Sequence, residues 1–356
     1  MIYLSIFFIS LSLLFTIEKS DRSARNFLYF IVLSVLCFTP AFQFQIGTDY
    51  TTYYNISEDV DYINYLAQKR EYVFYLIYYF IYIYDLNGQA FFIITALLQS
   101  VLLVNILRLT RNEGYSPLWL FVGFFLITNI YHNQMNHIRT YVAVLFFTNA
   151  ILYRYKGKYF SFFINLIFSI FSHATTIFVL PLLMLKQKHF RYICRHAVFF
   201  YFLSVLVYSI DVYRPILEFL VKNVVPFYSG YLDSLFNERA SFSELATKFY
   251  YLPLSLYILE HVRIRNSNFN ALDNVIYGLF LVTCNSFIMM SHSSVFLRLW
   301  SFLVIFYALA LARTFTSRSL GYMKGFFVFL YLLLPYFLKV TFLASNEYLY
   351  DLYFFH

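Results

Sequence analysis

The residues suited to chemistry sit in short polar islands between long apolar runs. The largest island is Tyr131-His-Asn-Gln-Met-Asn-His-Ile-Arg139-Thr-Tyr141, flanked by residues 118–130 and 142–153, both nearly free of charge. An arginine at the mouth of a membrane-length apolar segment is costly to place, so it calls for a wet cavity or a partner. At helical spacing Gln134, His137 and Tyr141 fall near one face, and Asn136, Arg139 and Thr140 near another. Snorkelling to the interface is the plainer reading of a lone arginine. It does not explain the surrounding Asn, Gln and His.

Four further islands stand out. Ser291-His292-Ser-Ser294 leads into Arg298 and Trp300, so a second arginine enters an apolar run. Ser172-His173-Ala174-Thr175 interrupts the middle of the apolar stretch 159–185. Gly47-Thr-Asp49-Tyr50-Thr-Thr-Tyr53 follows an early apolar segment, and Arg70-Glu71 opens an aromatic one. Two guanidinium groups suit an anion such as phosphate, which they grip through paired hydrogen bonds. His173 and Asp49 are the candidates for taking a proton. The histidine has the more suitable unperturbed pKa, about 6.5, and the two residues do not otherwise rank. Tyr50 and Tyr53 suit stacking on sugar rings, while Arg70, Glu71, Gln134, His137 and His292 suit hydroxyl contacts or the orientation of Arg139. The plainer alternatives are a helix cap for Asp49, a local dipole contact for Arg70-Glu71 and a packed core role for His173.

The elements that must position these groups follow from composition. The chain is 61% hydrophobic and 24% aromatic, with 12% charged residues, about half the charge of a soluble protein. It reads as an all-α polytopic integral membrane protein. A span needs roughly 20 apolar residues, and the candidates are 2–17, 27–46, 90–107, 115–131, 138–153, 192–213, 249–261, 273–290, 295–312 and 325–343. The first of these is followed by Glu18-Lys19 and no small-residue cleavage site, so it reads as a retained span.

Loop charge then orients the chain. The basic loops around Lys19, Arg108, Lys156, Lys188, Arg263 and Arg313 collect 17 of the 26 Lys and Arg when placed together on the cytoplasmic side. The acidic segments around Glu58, Glu238 and Glu347 then lie outside. This works only if residues 72–84 form a short helix on the outer face and residues 159–185 form a re-entrant or short-helix hairpin turning at His173. The expectation is one transmembrane domain over residues 1–356, with extracytoplasmic loops at 47–89 and 214–248. Asp49, Arg70, Glu71, His132, His137, Arg139, His292 and Arg298 then lie at or near the outer face, and His173 lies deep in the membrane or near that face.

The net charge of +8 fits cytoplasmic loops better than a nucleic-acid partner. Cys37, Cys194 and Cys284 stand singly, without metal-type spacing, and read as buried thiols. No Walker loop, GxGxxG, HExxH or GxSxG is present, so nucleotide and zinc chemistry have no local support and no cofactor is implied.

Taken in order, these islands resemble the EpsG-type branch of the Wzy polysaccharide polymerases. Gly47-Thr48-Asp49-Tyr50 with Tyr53 matches that family's early motif, and Glu71-Tyr72 matches its acidic residue before a Tyr-rich helix. Gln134, Ile138, Arg139 and Ala143 match its amide-rich run into Ile-Arg. His173-Ala174-Thr175 and Arg298 with Trp300 and Phe302 match the later pieces. The likeness runs over about residues 40 to 310. Thr140 and Ala174 depart from the Gln and the basic residue usual after the arginine and the histidine.

The resemblance implies a GT-C-like fold in a bacterial inner membrane, with a periplasmic active face. It implies a glycosyltransferase that joins undecaprenyl-diphosphate-linked repeat units into O-antigen, capsule or exopolysaccharide. Arg139 and Arg298 would hold the diphosphate, and His173 or Asp49 would act as base. Donor and acceptor lipid-linked glycans, membrane lipid and a chain-length regulator protein are the implied partners. An O-antigen ligase or GT-C transferase, and a lipid-glycan flippase, are the alternatives.

Overall fold

The computed structural model describes residues 2–224, 226–231, 239–293, 296–317, 322–342 and 350–352. The chain divides into two compact units, Met1–His173 with Phe315–His356, and Ala174–Thr314.

The first unit opens with α1 (Ile2–Lys19) and α2 (Arg22–Ala41), both long and apolar enough to cross a membrane. The Asp21 carboxylate caps α2 by accepting from the Ala24 amide at 2.9 Å, which satisfies one of the orphan donors at a helix start. Pro40 lies in the last turn of α2. Strand β1 (Gln43–Phe44) follows and pairs antiparallel with β2 (Asp351–Leu352), a small departure from an all-helical chain. Three short helices come next, α3 (Tyr50–Asn55), α4 (Val60–Gln68) and α5 (Tyr72–Ile83). The last of these is too short to span and occupies the stretch expected to be a separate outer helix. Then α6 (Gln89–Arg111) is again of span length.

The expected span at 115–131 is not one helix. Helix α7 (Pro117–Val122) runs into a single π turn over Gly123–Ile127, where the Thr128 amide reaches back five residues to the Gly123 carbonyl at 2.9 Å. Asn129 then takes a left-handed φ of 54° and starts α8 (Ile130–Asn136). A π turn accommodates one extra residue and recurs at functional sites. Here it ends just before the polar island. Helices α9 (Ile138–Tyr155) and α10 (Tyr159–Ser172) complete this part of the unit. Helix α6 packs against α2 and α9, and α9 against α10. Ser169 Oγ donates to the Ala143 carbonyl at 2.7 Å, which fixes α10 on α9.

The second unit begins with a 3-10 stretch, Ala174–Val179, and the one-turn α11 (Pro181–Met184). Helix α12 (Gln187–Arg195) meets α13 (Ala197–Ser209) at 97°. The expected straight span at 192–213 is therefore sharply bent at His196. Helices α14 (Arg214–Asn223), α15 (Phe242–Phe249), α16 (Leu252–Arg265) and α17 (Ala271–Thr283) follow. Helix α18 (Phe296–Ser317) ends in the first unit, to which α19 (Tyr322–Thr341) belongs. Arg313 grips the buried Asp273 carboxylate with two nitrogens, Nε to Oδ1 at 2.8 Å and Nη2 to Oδ2 at 2.9 Å, tying α18 to α17. Such a fork fixes geometry as well as charge.

Five helical segments among the described residues pass for membrane spans: Ile2–Lys19, Arg22–Ala41, Gln89–Arg111, Ala271–Ser291 and Leu299–Ser317. The α12–α13 pair would make a sixth only if the two helices, bent by 97°, were counted as one broken span. Of the other expected spans, 138–153 falls on the unbroken 18-residue α9, 249–261 on the shorter Leu252–Arg265, and 115–131 is broken.

Candidate functional site

The site is built on the junction between α8 and α9. His137 closes one helix and opens the next with φ −100° and ψ 54°, so the residues on either side of it point different ways. Asn136 looks to the loop after β1. Its Oδ1 accepts from the Asp49 amide at 3.2 Å and from the Thr48 hydroxyl at 3.4 Å. Gly47, with φ +77°, makes this approach possible, because a Cβ there would lie 2.6 Å from Asn136 Oδ1. His137 Nδ1 lies 4.0 Å from Asp49 Oδ2, and the two side chains are 33% and 41% exposed. This pair forms an open rim.

Arg139, in the first turn of α9, faces Glu71. Its Nη1 donates to Glu71 Oε2 at 2.7 Å, with the arginine 19% exposed and the glutamate not exposed at all. Helix α4 delivers the glutamate. The Arg70 amide bonds the Ala67 carbonyl at 2.9 Å and the Glu71 amide bonds the Leu66 carbonyl at 3.0 Å, with Arg70 at φ 62°. This is a Schellman ending, with Arg70 in the left-handed position usually given to glycine. The turn leaves Arg70 exposed and carries Glu71 into the interior at the start of α5.

His173 arrives from the other side. Helix α10 stops at Ser172, and His173 is extended, with φ −157° and ψ 124°. The break thus falls at the residue pair where a turn is expected. The Tyr72 and Phe171 rings meet edge to face at 5.1 Å, joining the start of α5 to the end of α10. His173 Nδ1 lies 3.5 Å from Glu71 Oε1, with its side chain 4% exposed. One buried carboxylate therefore holds an arginine on one oxygen and a histidine on the other. A fully buried carboxylate persists only when paired in this way.

The remaining expected residues fall in different places. Tyr50 and Tyr53 are core residues. Tyr50 stacks on Phe92 at 4.8 Å, and Tyr53 on Phe91 at 5.4 Å. Both were expected to offer a face to sugar; in the structure both rings are buried in the aromatic core. Tyr53 also lies under Arg139, with the guanidinium carbon 5.8 Å from its ring centre. Burial raises its phenol pKa, so this support is neutral. Glu71 was expected to contact sugar hydroxyls or to orient Arg139; its carboxylate is completely buried and paired with Arg139. Gln134 is buried, and its backbone carbonyl accepts from Gln99 Nε2 at 3.3 Å. His292 belongs to the second unit, where its Nδ1 lies 3.7 Å from Asp211 Oδ2. That same oxygen accepts from Arg214 Nε at 2.6 Å. Arg298 lies in α18, and its side chain is outside the described residues.

Sequence reasoning did not find the central position of Glu71 or the Asp211–Arg214–His292 cluster. The one local signal for Glu71 is its place as the sole acid leading an uncharged aromatic helix. Among the described residues, no group of three His, Cys, Asp or Glu is arranged to hold a metal ion.

Compared with known proteins, the chain matches the family model described as the EpsG family over residues 26–354. No curated protein and no solved structure matches it.

Proposed function

Because the chain belongs to the EpsG family, of EpsG/Wzy-type polysaccharide polymerases, we propose that it joins lipid-linked oligosaccharide repeat units into a surface polysaccharide. The carriers would be undecaprenyl diphosphates, and the reaction would run at the outer face of a bacterial inner membrane. In the reaction the bond from the donor's anomeric carbon to its diphosphate oxygen breaks, and its electrons leave with undecaprenyl diphosphate. The anomeric carbon bonds to an acceptor hydroxyl oxygen, and the hydroxyl proton passes to a base on the enzyme. The protein therefore needs fixed cationic donors for the departing charge and one group to take the proton.

The observation that carries this reading is the Glu71–Arg139–His173 cluster. Arg139 supplies the donors for the diphosphate, with Arg298 as a second candidate. Glu71 near Nδ1 of His173 favours the tautomer with its lone pair on Nε2 and stabilises the imidazolium formed when that nitrogen takes the proton. A second reading of the base is Asp49, favoured by its greater exposure beside His137.

The deciding experiment is deletion of the gene and analysis of surface glycan on gels, with complementation by variants. A polymerase deletion leaves single repeat units attached to their final carrier, whereas a ligase deletion removes attached glycan altogether. Arg139→Ala is expected to abolish long chains while the protein stays in the membrane. A normal chain-length distribution in that variant sinks the assignment. Comparing His173→Gln with Asp49→Asn decides the base, since only loss of the true base removes the acidic limb of the pH–rate profile, where protonation of that base lowers the rate.

A further inference from the structure

We propose that α12 is an in-plane helix whose cationic face binds the headgroups of acidic phospholipids in the leaflet it lies on. The proposal rests on the chain being a membrane protein and is independent of its catalytic role.

Three observations carry it. The first is direction. Helix α12 meets the apolar α13 at 97°, so when α13 runs along the bilayer normal, α12 lies along the bilayer surface. Helix α13 carries exposed Val198, Phe199, Phe202 and Leu206, the side chains of a helix facing lipid.

The second is the division of α12 into two faces. Phe190, Ile193 and Cys194 are buried toward α17. Gly278 of α17 leaves room for the Phe190 ring, since a Cβ there would lie 2.7 Å from it. Cys194 Sγ reaches the Asn274 carbonyl at 3.4 Å. The apolar face is therefore used within the protein. Lys188, Arg191, Tyr192 and Arg195 form the exposed side at helical spacing. Tyr192 is 59% exposed, with the polar-tipped ring favoured at membrane interfaces.

The third is uncompensated charge. Lys186, Lys188, Arg191, Arg195 and, on the neighbouring α16, Arg265 are all exposed. Among the described residues none of the five has an ion-pair partner. The acids of the elements packed here are already committed, Glu260 to Arg263 at 2.8 Å and Asp273 to Arg313. Each such cation near an acidic leaflet gains roughly a fivefold preference, from about 1 kcal/mol per Lys or Arg. The charge pattern places this leaflet on the cytoplasmic side, where acidic lipids give a negative surface potential.

The test uses the full-length protein in detergent, titrated with phosphatidylglycerol or phosphatidylcholine and followed by thermal unfolding. Lipid that co-purifies with the protein is quantified by mass spectrometry. The expected result is a larger upward shift with phosphatidylglycerol and its severalfold enrichment in the co-purified lipid. Both effects should fade at high salt and be lost in K188Q/R191Q/R195Q. That triple variant leaves the buried face untouched, and equal unfolding temperatures without added lipid show that it folds. Equal shifts for the two lipids, or an undiminished phosphatidylglycerol effect in the variant, overturn the proposal. Nuclease-sensitive nucleic acid retained by the parent and lost from the variant also overturns it, by assigning the face to a different partner.

Discussion

The Glu71–Arg139 pair makes a prediction that separates folding from chemistry. At 2.7 Å the gross attraction is about 6 kcal/mol at an effective dielectric constant near 20. Desolvation of both groups cancels most of it, so the pair adds little net stability. Breaking it is different, because the surviving charge is left buried, at about 3–5 kcal/mol. The two survivors are not equivalent. Arg139 keeps 19% of its side chain exposed and can turn toward water, whereas Glu71 has none. Arg139→Ala should therefore destabilise more than Glu71→Ala. The double variant removes both charges and should fall short of the sum of the single effects by about 3 kcal/mol. Against a typical total of about 5–15 kcal/mol, that difference is measurable by thermal unfolding in detergent. Glycan gels read the chemistry separately, and the double variant should fold better than Arg139→Ala and still make no long chains. Additive losses within about 0.5 kcal/mol would refute the pairing, and long chains from the double variant would refute the role assigned to it.

Two further expectations concern the turns that aim the site. Gly47→Ala combines a left-handed backbone with a Cβ 2.6 Å from Asn136 Oδ1, and should cost about 1–3 kcal/mol and displace Asp49. Reduced polymer length with a lower unfolding temperature checks it. Arg70→Gly should stabilise by up to about 1 kcal/mol, because glycine adopts the φ of 62° without the steric penalty of a side chain. Arg70→Val at the same place should destabilise, and calorimetry of the pair shows whether backbone strain or the lost charge decides.

The helical class was legible because apolar content and loop charge are bulk properties of the chain. The break at His173 was legible too, since a Ser-His pair interrupts an otherwise apolar run. The other irregularities had no such mark. The π turn over Gly123–Ile127 is written in the same apolar letters as a regular helix. The bend at His196 depends on α12 packing against α17, which involves residues some 80 positions away. Glu71 and Arg139 are separated by 68 positions, so no local spacing pairs them. The burial of Tyr50 and Tyr53 was not legible for a related reason. Composition shows an aromatic-rich segment but not that Phe91 and Phe92 of α6 take up those two rings.

The same burial that hid Glu71 from sequence reasoning explains why an acid belongs there. In the role proposed for it, Arg139 must wait between turnovers without a diphosphate, in surroundings poor in water. Glu71 offsets that charge at rest and, by binding one edge of the guanidinium, fixes its orientation. With His173 as the proposed base, the same carboxylate would stabilise the imidazolium formed 3.5 Å away. In that proposed step the cluster would change from neutral to positive as the leaving diphosphate gains negative charge. A lysine at position 139 keeps the charge but loses the planar fork. Arg139→Lys should accordingly retain much of the stability lost in Arg139→Ala while recovering little of the polymer.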